Sequence, residues 1–280
     1  MKILAPAKLN IFLEVVNRRK DGYHNIESVM QTVSLYDRLT IKPALSGITL
    51  RCNRKELPVD KSNLVMKAAL LLKNELKISA GADIYLEKNI PLGAGLGGGS
   101  SDAAAAFIGL LKLWKSQLPE AKLNKLARLV GADVPFFLSG GTAAARGVGE
   151  RLTKLKSPKI GYILLVNPGF GVATKTVYEN LRFPLTKKQK INRILKLFKG
   201  GASPRAWKKM LYNRLEEVVL PRYPEIESIK DIFRSQNCEC LMSGSGSTVF
   251  GVVPGIKAGK RIRSLFERSG WKSWLVHTIP

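Results

Sequence analysis

The sequence predicts an α+β chain of two domains. Three observations carry this. The 280 residues admit one large or two medium domains, at ~100–200 residues each. Strand-like and helix-like stretches occur in both halves. Lysines cluster with Ser157 and Pro158 between Leu152 and Lys159, which sets the boundary so that domains span 1–155 and 156–280.

Composition narrows the class. Hydrophobic residues make up 45% of the chain, enough for a packed core and against disorder. Lys plus Arg number 46 and Asp plus Glu 21, a net charge of +25. Such a field attracts nucleic acid, anionic membrane or phosphorylated small molecules. The three cysteines, Cys52, Cys238 and Cys240, have no metal-binding spacing and point to structural thiols in a reducing compartment. With His24 and His277 as the only histidines, a histidine metal site is not expected. No apolar run approaches the ~18 residues of a membrane span. The opening apolar run, Ile3 to Ala7, stops at Lys8 after five residues, too short for a signal peptide. A cytoplasmic protein is expected.

Taken in order, Leu9 to Val16 reads as a strand, with Lys8 and Asn10 on one face because strand side chains repeat every two residues. From spacing alone that face could equally be an exposed edge. Asn17 to Gly22 is a charged turn and Val29 to Leu35 a strand; Ile41 to Arg51 is more strand. Ser62 suits the cap of a helix from Asn63 to Leu76, whose leucines read as core. Ala82 to Lys88 alternates as a strand. Pro91 to Ser101 then carries Gly93, Gly95, Gly97, Gly98 and Gly99, and Ala103 to Trp114 is rich in helix formers. Ser100, Ser101 and Asp102 suit that helix's cap. Strand, glycine loop, helix is the order of a phosphate site: glycine permits positive φ and close approach, and a helix start offers N–H groups and partial positive charge. Five glycines in seven positions exceed what a turn requires. Pro119 opens another helix, which Gly131 ends. Asp133 follows, an N-cap residue with Pro135 in the first turn. Thr142 to Arg146 is a strand and Gly147 to Glu150 a turn.

In the second half, Ile160 to Val166 is a buried-type strand. Thr174 caps a short helix and shares a face with Tyr178, four residues on. As spacing alone, Tyr178 is equally a packing tyrosine. Leu181 to Leu215 holds eleven Lys or Arg and no acid. Ile191, Ile194, Leu195 and Phe198 stripe one amphipathic helix there, and a second is expected around Trp207, Met210, Leu211 and Leu215; its basic side reads as a solvated face. Pro224 starts a helix, Cys238 to Met242 is a strand, and Ser243 to Thr248 is a second glycine loop before strand Val249 to Val253. A helix from Ile256 to Glu267 and a strand from Trp271 to His277 complete an α+β half.

Gly93 to Gly98 is a literal GxGxxG, a weak signal alone. The dinucleotide reading wants an acid closing the next strand, but Glu120 follows Pro119 at a helix start. No lysine follows the glycines, against a Walker loop, and a helix rather than a strand follows, against the protein kinases. Pro-x-x-x-Gly-Leu-Gly-Gly-Gly-Ser-Ser-Asp-Ala-Ala closely resembles the nucleotide loop of the kinases named for galactokinase, homoserine kinase, mevalonate kinase and phosphomevalonate kinase. Pro6-Ala7-Lys8-Leu9-Asn10, Asp21-Gly22-Tyr23-His24 and Gly131-Ala132-Asp133-Val134-Pro135 resemble segments of one branch, the diphosphocytidyl-methylerythritol kinases.

The resemblance covers the whole chain. It implies an N-terminal α/β domain of the ribosomal-protein-S5-like type and a C-terminal ferredoxin-like domain, with the active site in a cleft between them. It implies ATP and Mg²⁺ as cofactors, with no protein metal ligand identifiable, and phosphorylation of the 2-hydroxyl of 4-diphosphocytidyl-2-C-methyl-D-erythritol on the non-mevalonate isoprenoid route. Asp133 would be the general base, oriented by Lys8. Asn63, Leu64, Lys88, Pro91, Gly93, Gly95, Leu96, Gly97, Gly98, Gly99, Ser100 and Ser101 would hold ATP. Asn10, Tyr23, His24, Thr174 and Tyr178 would join Asp133 around the substrate. A small-molecule enzyme with no membrane or nucleic-acid partner, monomeric or weakly dimeric, is expected. Two rivals stay open: a sister kinase for mevalonate or homoserine, and a basic RNA-binding protein.

Overall fold

The computed structural model describes residues 1–158, 161–182, 191–199 and 211–280. Their packing does not divide at a single point along the chain. One compact unit takes Met1–Ala7, Leu35–Ile90 and Gly97–Ser139; the other takes Lys8–Ser34, Pro91–Leu96 and Gly140–Pro280. Two strands, β1 (Lys2–Arg18) and β2 (His24–Ala44), run through both and are hydrogen-bonded neighbours. Both are much longer than the stretches the alternation predicts. The predicted stretches are the most buried ones, such as Leu9 to Val15, and the missed parts are the less buried ends.

In the first unit, β2 pairs antiparallel with β4 (Gly81–Glu87), placing Leu39 opposite Leu86 and Ile41 opposite Ile84. β3 (Ile48–Cys52) pairs parallel with β4. The single strand expected over Ile41 to Arg51 is therefore two, separated by a turn in which Gly47 has φ 73°. Four helices accompany this sheet: α1 (Leu64–Leu76), α2 (Gly98–Leu113), α3 (Glu120–Val130) and α4 (Val134–Ser139). α2 packs against α1 and α4. Its buried face is Ala103 to Ala106 with Phe107 and Leu110, and small side chains allow helices to approach closely. The cap of α1 is Asn63, not Ser62: its side chain accepts from Val65 N. α3 starts after Pro119 and stops at Gly131, as expected.

In the second unit, β2 pairs with β5 (Thr142–Gly147), and β5 with β6 (Arg151–Leu155). That pairing is why residues 142–155 pack here. β1 pairs parallel with β8 (Tyr212–Asn213). A separate antiparallel sheet has the order β11-β7-β10-β9. Its strands are β7 (Tyr162–Asn167), β9 (Cys240–Met242), β10 (Val249–Val253) and β11 (Lys272–His277). Counted by appearance that is 4-1-3-2, the ferredoxin-like pattern. Shorter helices are α5 (Thr174–Glu179), α6 (Ile191–Lys199) and α7 (Glu216–Val219). Two longer ones, α8 (Pro224–Ser235) and α9 (Ile256–Arg268), pack on the sheet. Leu164, Val166, Phe233, Val249, Ile262 and Phe266 form part of the core between them. Gly251 lies under Phe233, whose ring a Cβ there would overlap.

The apolar stripe of α6 is as predicted, with Ile191, Ile194 and Phe198 buried. Trp207 and Met210, named for a second helix, lie outside the described residues. Leu215 sits in a turn after β8 rather than in that helix.

Candidate active site

The glycine loop is built by two partners. Pro91–Leu96 belongs to the second unit and Gly97 onward to the first. In the second unit, Lys8 N donates to Leu96 O at 2.9 Å, Val172 N to Gly93 O at 2.9 Å and Thr248 N to Ala94 O at 3.3 Å. Ser243 Oγ donates to Gly95 O at 3.0 Å. Gly95 has φ 75°, and a Cβ on it would overlap Ser243 O. The first glycine loop thus seats on the second, which requires glycine on both geometric grounds.

At the other end, α2 begins at Gly97, with φ 68° and no side-chain cap. Ser100, Ser101 and Asp102, expected to cap, lie inside the helix instead. The first turn carries no acid. Its N–H groups have no intrahelical acceptor, and the helix dipole adds partial positive charge, so the start suits an anion. Ser101 Oγ is buried with no hydrogen-bond partner among the described residues.

Asp102 is buried on the Lys88 ammonium, 2.8 Å from Nζ, and Asp37 takes the same ammonium from another side. Lys88 is 3% exposed, Asp102 2% and Asp37 0%. Burial holds the Asp102 carboxyl above the usual carboxylate range; Lys88 opposes this and Asp37 adds to it. For Lys88, burial pulls downward but the two carboxylates outweigh it, so its ammonium stays charged. Removing one member of a buried ion pair typically costs about 3–5 kcal/mol. Asp37 was not legible in the sequence, where nothing near Tyr36 to Arg38 signals a partner for Lys88.

Leu64 and Lys88 lie beside the start of this helix. A Cβ on Gly98 would lie 2.9 Å from Lys88 Nζ, and one on Gly99 3.5 Å from Leu64 Cδ1. Asn63 precedes Leu64, but its amide is engaged, accepting from Val65 N at 2.9 Å and donating to Pro58 O at 2.7 Å. The polar ends of Asn63 and Lys88 are therefore held by protein.

Asp133 stands on the turn before α4. The turn is closed by Val134 N donating to Gly131 O at 3.2 Å. A Cβ on Gly131 would lie 3.8 Å from Ser100 Oγ. The aspartate turn and the start of the glycine-loop helix are thus neighbours within one unit.

The second unit gathers the remaining candidates. Lys8 Nζ donates to Asn10 Oδ1. Asn10 Nδ2 donates to Ser28 Oγ at 2.8 Å, and Ser28 Oγ donates to Phe12 O at 2.7 Å. Because the Ser28 proton goes to Phe12, its oxygen can only accept from Asn10, so the Asn10 amide must present oxygen to Lys8. Asn10 N donates to Ser243 Oγ at 3.3 Å. Thr174 is the first residue of α5 rather than its cap, and its hydroxyl pairs with Ser245 Oγ at 2.8 Å. Asn10 and Thr174 therefore both meet the second glycine loop, and Lys8 is joined to Asn10. That loop is held by Asn213 Nδ2, donating to Met242 O at 2.8 Å and Gly244 O at 2.7 Å. Arg214, next in the chain, forms a buried two-bond pair with Glu14 at 2.8 and 2.9 Å. Ser28, Asn213, Arg214 and Glu14 carry no motif and were missed.

The rings of His24 and Tyr178 lie 5.1 Å apart at 33°. Burial, then the Arg18 charge, lower the His24 pKa, so its imidazole is neutral at pH 7. Tyr23 is 65% exposed. Its N–H donates to Asp21 Oδ1 at 3.1 Å, and Asp21 pairs with Arg19. The Asp-Gly-Tyr-His segment thus turns sharply, with one ring outward and the next against Tyr178.

Among the described residues no cluster of three or more His, Cys, Asp or Glu could hold a metal, and no helix is long and apolar enough to cross a membrane.

Residues 63–141 match the GHMP kinases N terminal domain and residues 195–268 the GHMP kinases C terminal domain. A 4-diphosphocytidyl-2-C-methyl-D-erythritol kinase of Syntrophus aciditrophicus is 41% identical, covering 100% of this chain and 99% of the relative. One from Pelotomaculum thermopropionicum is 44% identical over 95% of this chain and 93% of the relative. A crystal structure of 4-(cytidine 5'-diphospho)-2C-methyl-D-erythritol kinase superposes with a TM-score of 0.85 at 37% identity, covering 100% of both chains. Homoserine kinase from Cytophaga hutchinsonii shares the fold, with a TM-score of 0.78 at 20% identity, covering 100% of this chain and 94% of that one. The chain belongs to the GHMP kinase family, in the branch of the 4-diphosphocytidyl-2-C-methyl-D-erythritol kinases.

Proposed function

We infer that this chain transfers the γ-phosphoryl group of ATP to the 2-hydroxyl of 4-diphosphocytidyl-2-C-methyl-D-erythritol. One observation carries the chemistry: the Asp133 turn lies beside Ser100, on the first turn of a capless, acid-free helix. Phosphoryl transfer asks for phosphates held in place and a group that orients the attacking hydroxyl and takes its proton. The glycine loop and the start of α2 supply the first, and Asp133 the second.

Lys8 fixes the geometry of the substrate hydroxyl and stabilises charge as it develops. The Asn10–Ser28 relay holds it in one orientation. His24 and Tyr178 offer paired ring faces for a flat base, and Tyr23 a third; Thr174 faces the cytidyl part of the substrate.

Mg²⁺ fits the helix start. It is often held by phosphates, waters and one or two protein oxygens, and the unpartnered hydroxyl of Ser101 is such an oxygen. When bound, the ion neutralises charge on the phosphates.

The test is turnover by Asp133→Asn. Loss of a general base typically costs ~10²–10⁴ in rate. The variant should lose turnover by that factor while binding a non-hydrolysable ATP analogue normally. Near-normal turnover removes Asp133 from the mechanism.

A further inference from the structure

Lys88, Asn89 and Ile90 lead into the glycine loop, and Gly98 to Asp102 lead out of it. Both ends converge on one carboxylate. Asp37 Oδ1 accepts from Asn89 N at 2.6 Å and from Ile90 N at 2.8 Å. Asp37 Oδ2 accepts from Lys88 Nζ, which also donates to Asp102 on the second turn of α2. Gly98 leaves room for that ammonium. All of these groups are in the first unit.

We propose that Asp37 is a positioning residue for ATP, clamping both ends of the glycine loop through two backbone N–H groups and the Lys88 ammonium. It touches no phosphate. A loop whose ends are pinned loses less conformational freedom when it closes on a ligand, so it binds more tightly. Charge matters as well as shape. With Asp37 as a carboxylate, Lys88 is neutralised in place and does not swing to a phosphate or to solvent. The geometry of the loop is then set before ATP arrives. The proposal rests on the reading of this loop as the triphosphate site.

The test compares Asp37→Asn and Asp102→Asn with the unaltered full-length chain. Three quantities are read: affinity for a non-hydrolysable ATP analogue by calorimetry, KM for the cytidyl polyol, and melting temperature. Asp37→Asn keeps an oxygen for the two backbone donors and removes the charge on Lys88. It should weaken the nucleotide about tenfold or more, leave the polyol KM within about twofold, and be rescued in part by Asp37→Glu. Asp102→Asn should move nucleotide affinity the same way by a smaller factor. If Asp37→Asn does not fold, Asp102→Asn decides alone by the same criterion. Unchanged nucleotide affinity in the folded variant overturns the proposal. So does a parallel loss for nucleotide and polyol, which a general structural weakening would give. If the unaltered chain binds no ATP analogue at all, the reading of the loop fails and the clamp with it. An unaltered chain that binds normally beside a variant that also binds normally rejects the clamp alone.

Discussion

Ser28 is the residue on which the orientation of Lys8 depends, although nothing marks it in the sequence. Its hydroxyl settles which way the Asn10 amide faces. Replacing it with alanine removes two buried hydrogen bonds, each worth about 1 kcal/mol net. Ser28→Ala should lower kcat roughly tenfold while ATP affinity stays unchanged, and steady-state kinetics would show the split. His24 makes a prediction of a different kind. Its folded pKa lies below the usual 6.5 because the imidazole is buried near Arg18. The unfolded chain therefore takes up its proton first as pH drops below 6.5. Stability contributed by the neutral ring is fully present above that value and is lost through the window below it. The kcat/KM for the cytidyl substrate should fall over the same window, and His24→Gln should flatten that limb of the pH profile. A profile identical in the variant and the parent would place the titrating group elsewhere.

At the scale of the element, Gly95 is the contact where one glycine loop seats on the other. Gly95→Ala meets both a positive φ and the Ser243 carbonyl. Strained backbone of this kind and forced overpacking each cost about 1–3 kcal/mol. Denaturant unfolding should show a loss of roughly 2–6 kcal/mol, and an unshifted midpoint would mean that the two loops part easily. Such elements differ in how legible they were. The glycine loop, the helix from Pro119 to Gly131, the late β10 and the stripe of α6 were plain in the sequence, because turn chemistry and 3.6-residue periodicity are local signals. β1 and β2 were cut short at their partly exposed ends, where polar residues and Pro6 interrupt the apolar run. The caps of α1 and α2 were misplaced by one to a few residues because several adjacent polar residues could serve. Asp37, Ser28 and Asn213 were invisible for a different reason. Their partners lie 51, 18 and 29 residues away, and no local pattern reports a pairing made by the fold.

For the molecule as a whole, the net charge of +25 meets two anionic substrates. A field of that sign raises their local concentration, and added salt screens it over about 10 Å at 0.1 M. The kcat/KM for both substrates should fall several-fold between low and high salt, with kcat itself nearly constant. Salt-independent kcat/KM would mean that the charge serves something else. A basic RNA-binding protein would give a steep salt slope for RNA and no turnover. The proposed transfer needs both a held triphosphate and a recognised cytidine. Its most direct measurement is ATP consumption in two parallel assays, one with 4-diphosphocytidyl-2-C-methyl-D-erythritol and one with the same polyol lacking cytidine. The account predicts turnover with the first and at least ~10²-fold lower kcat/KM with the second, since remote binding energy is used to orient the reacting group. Equal rates on both, or none on either, would contradict it.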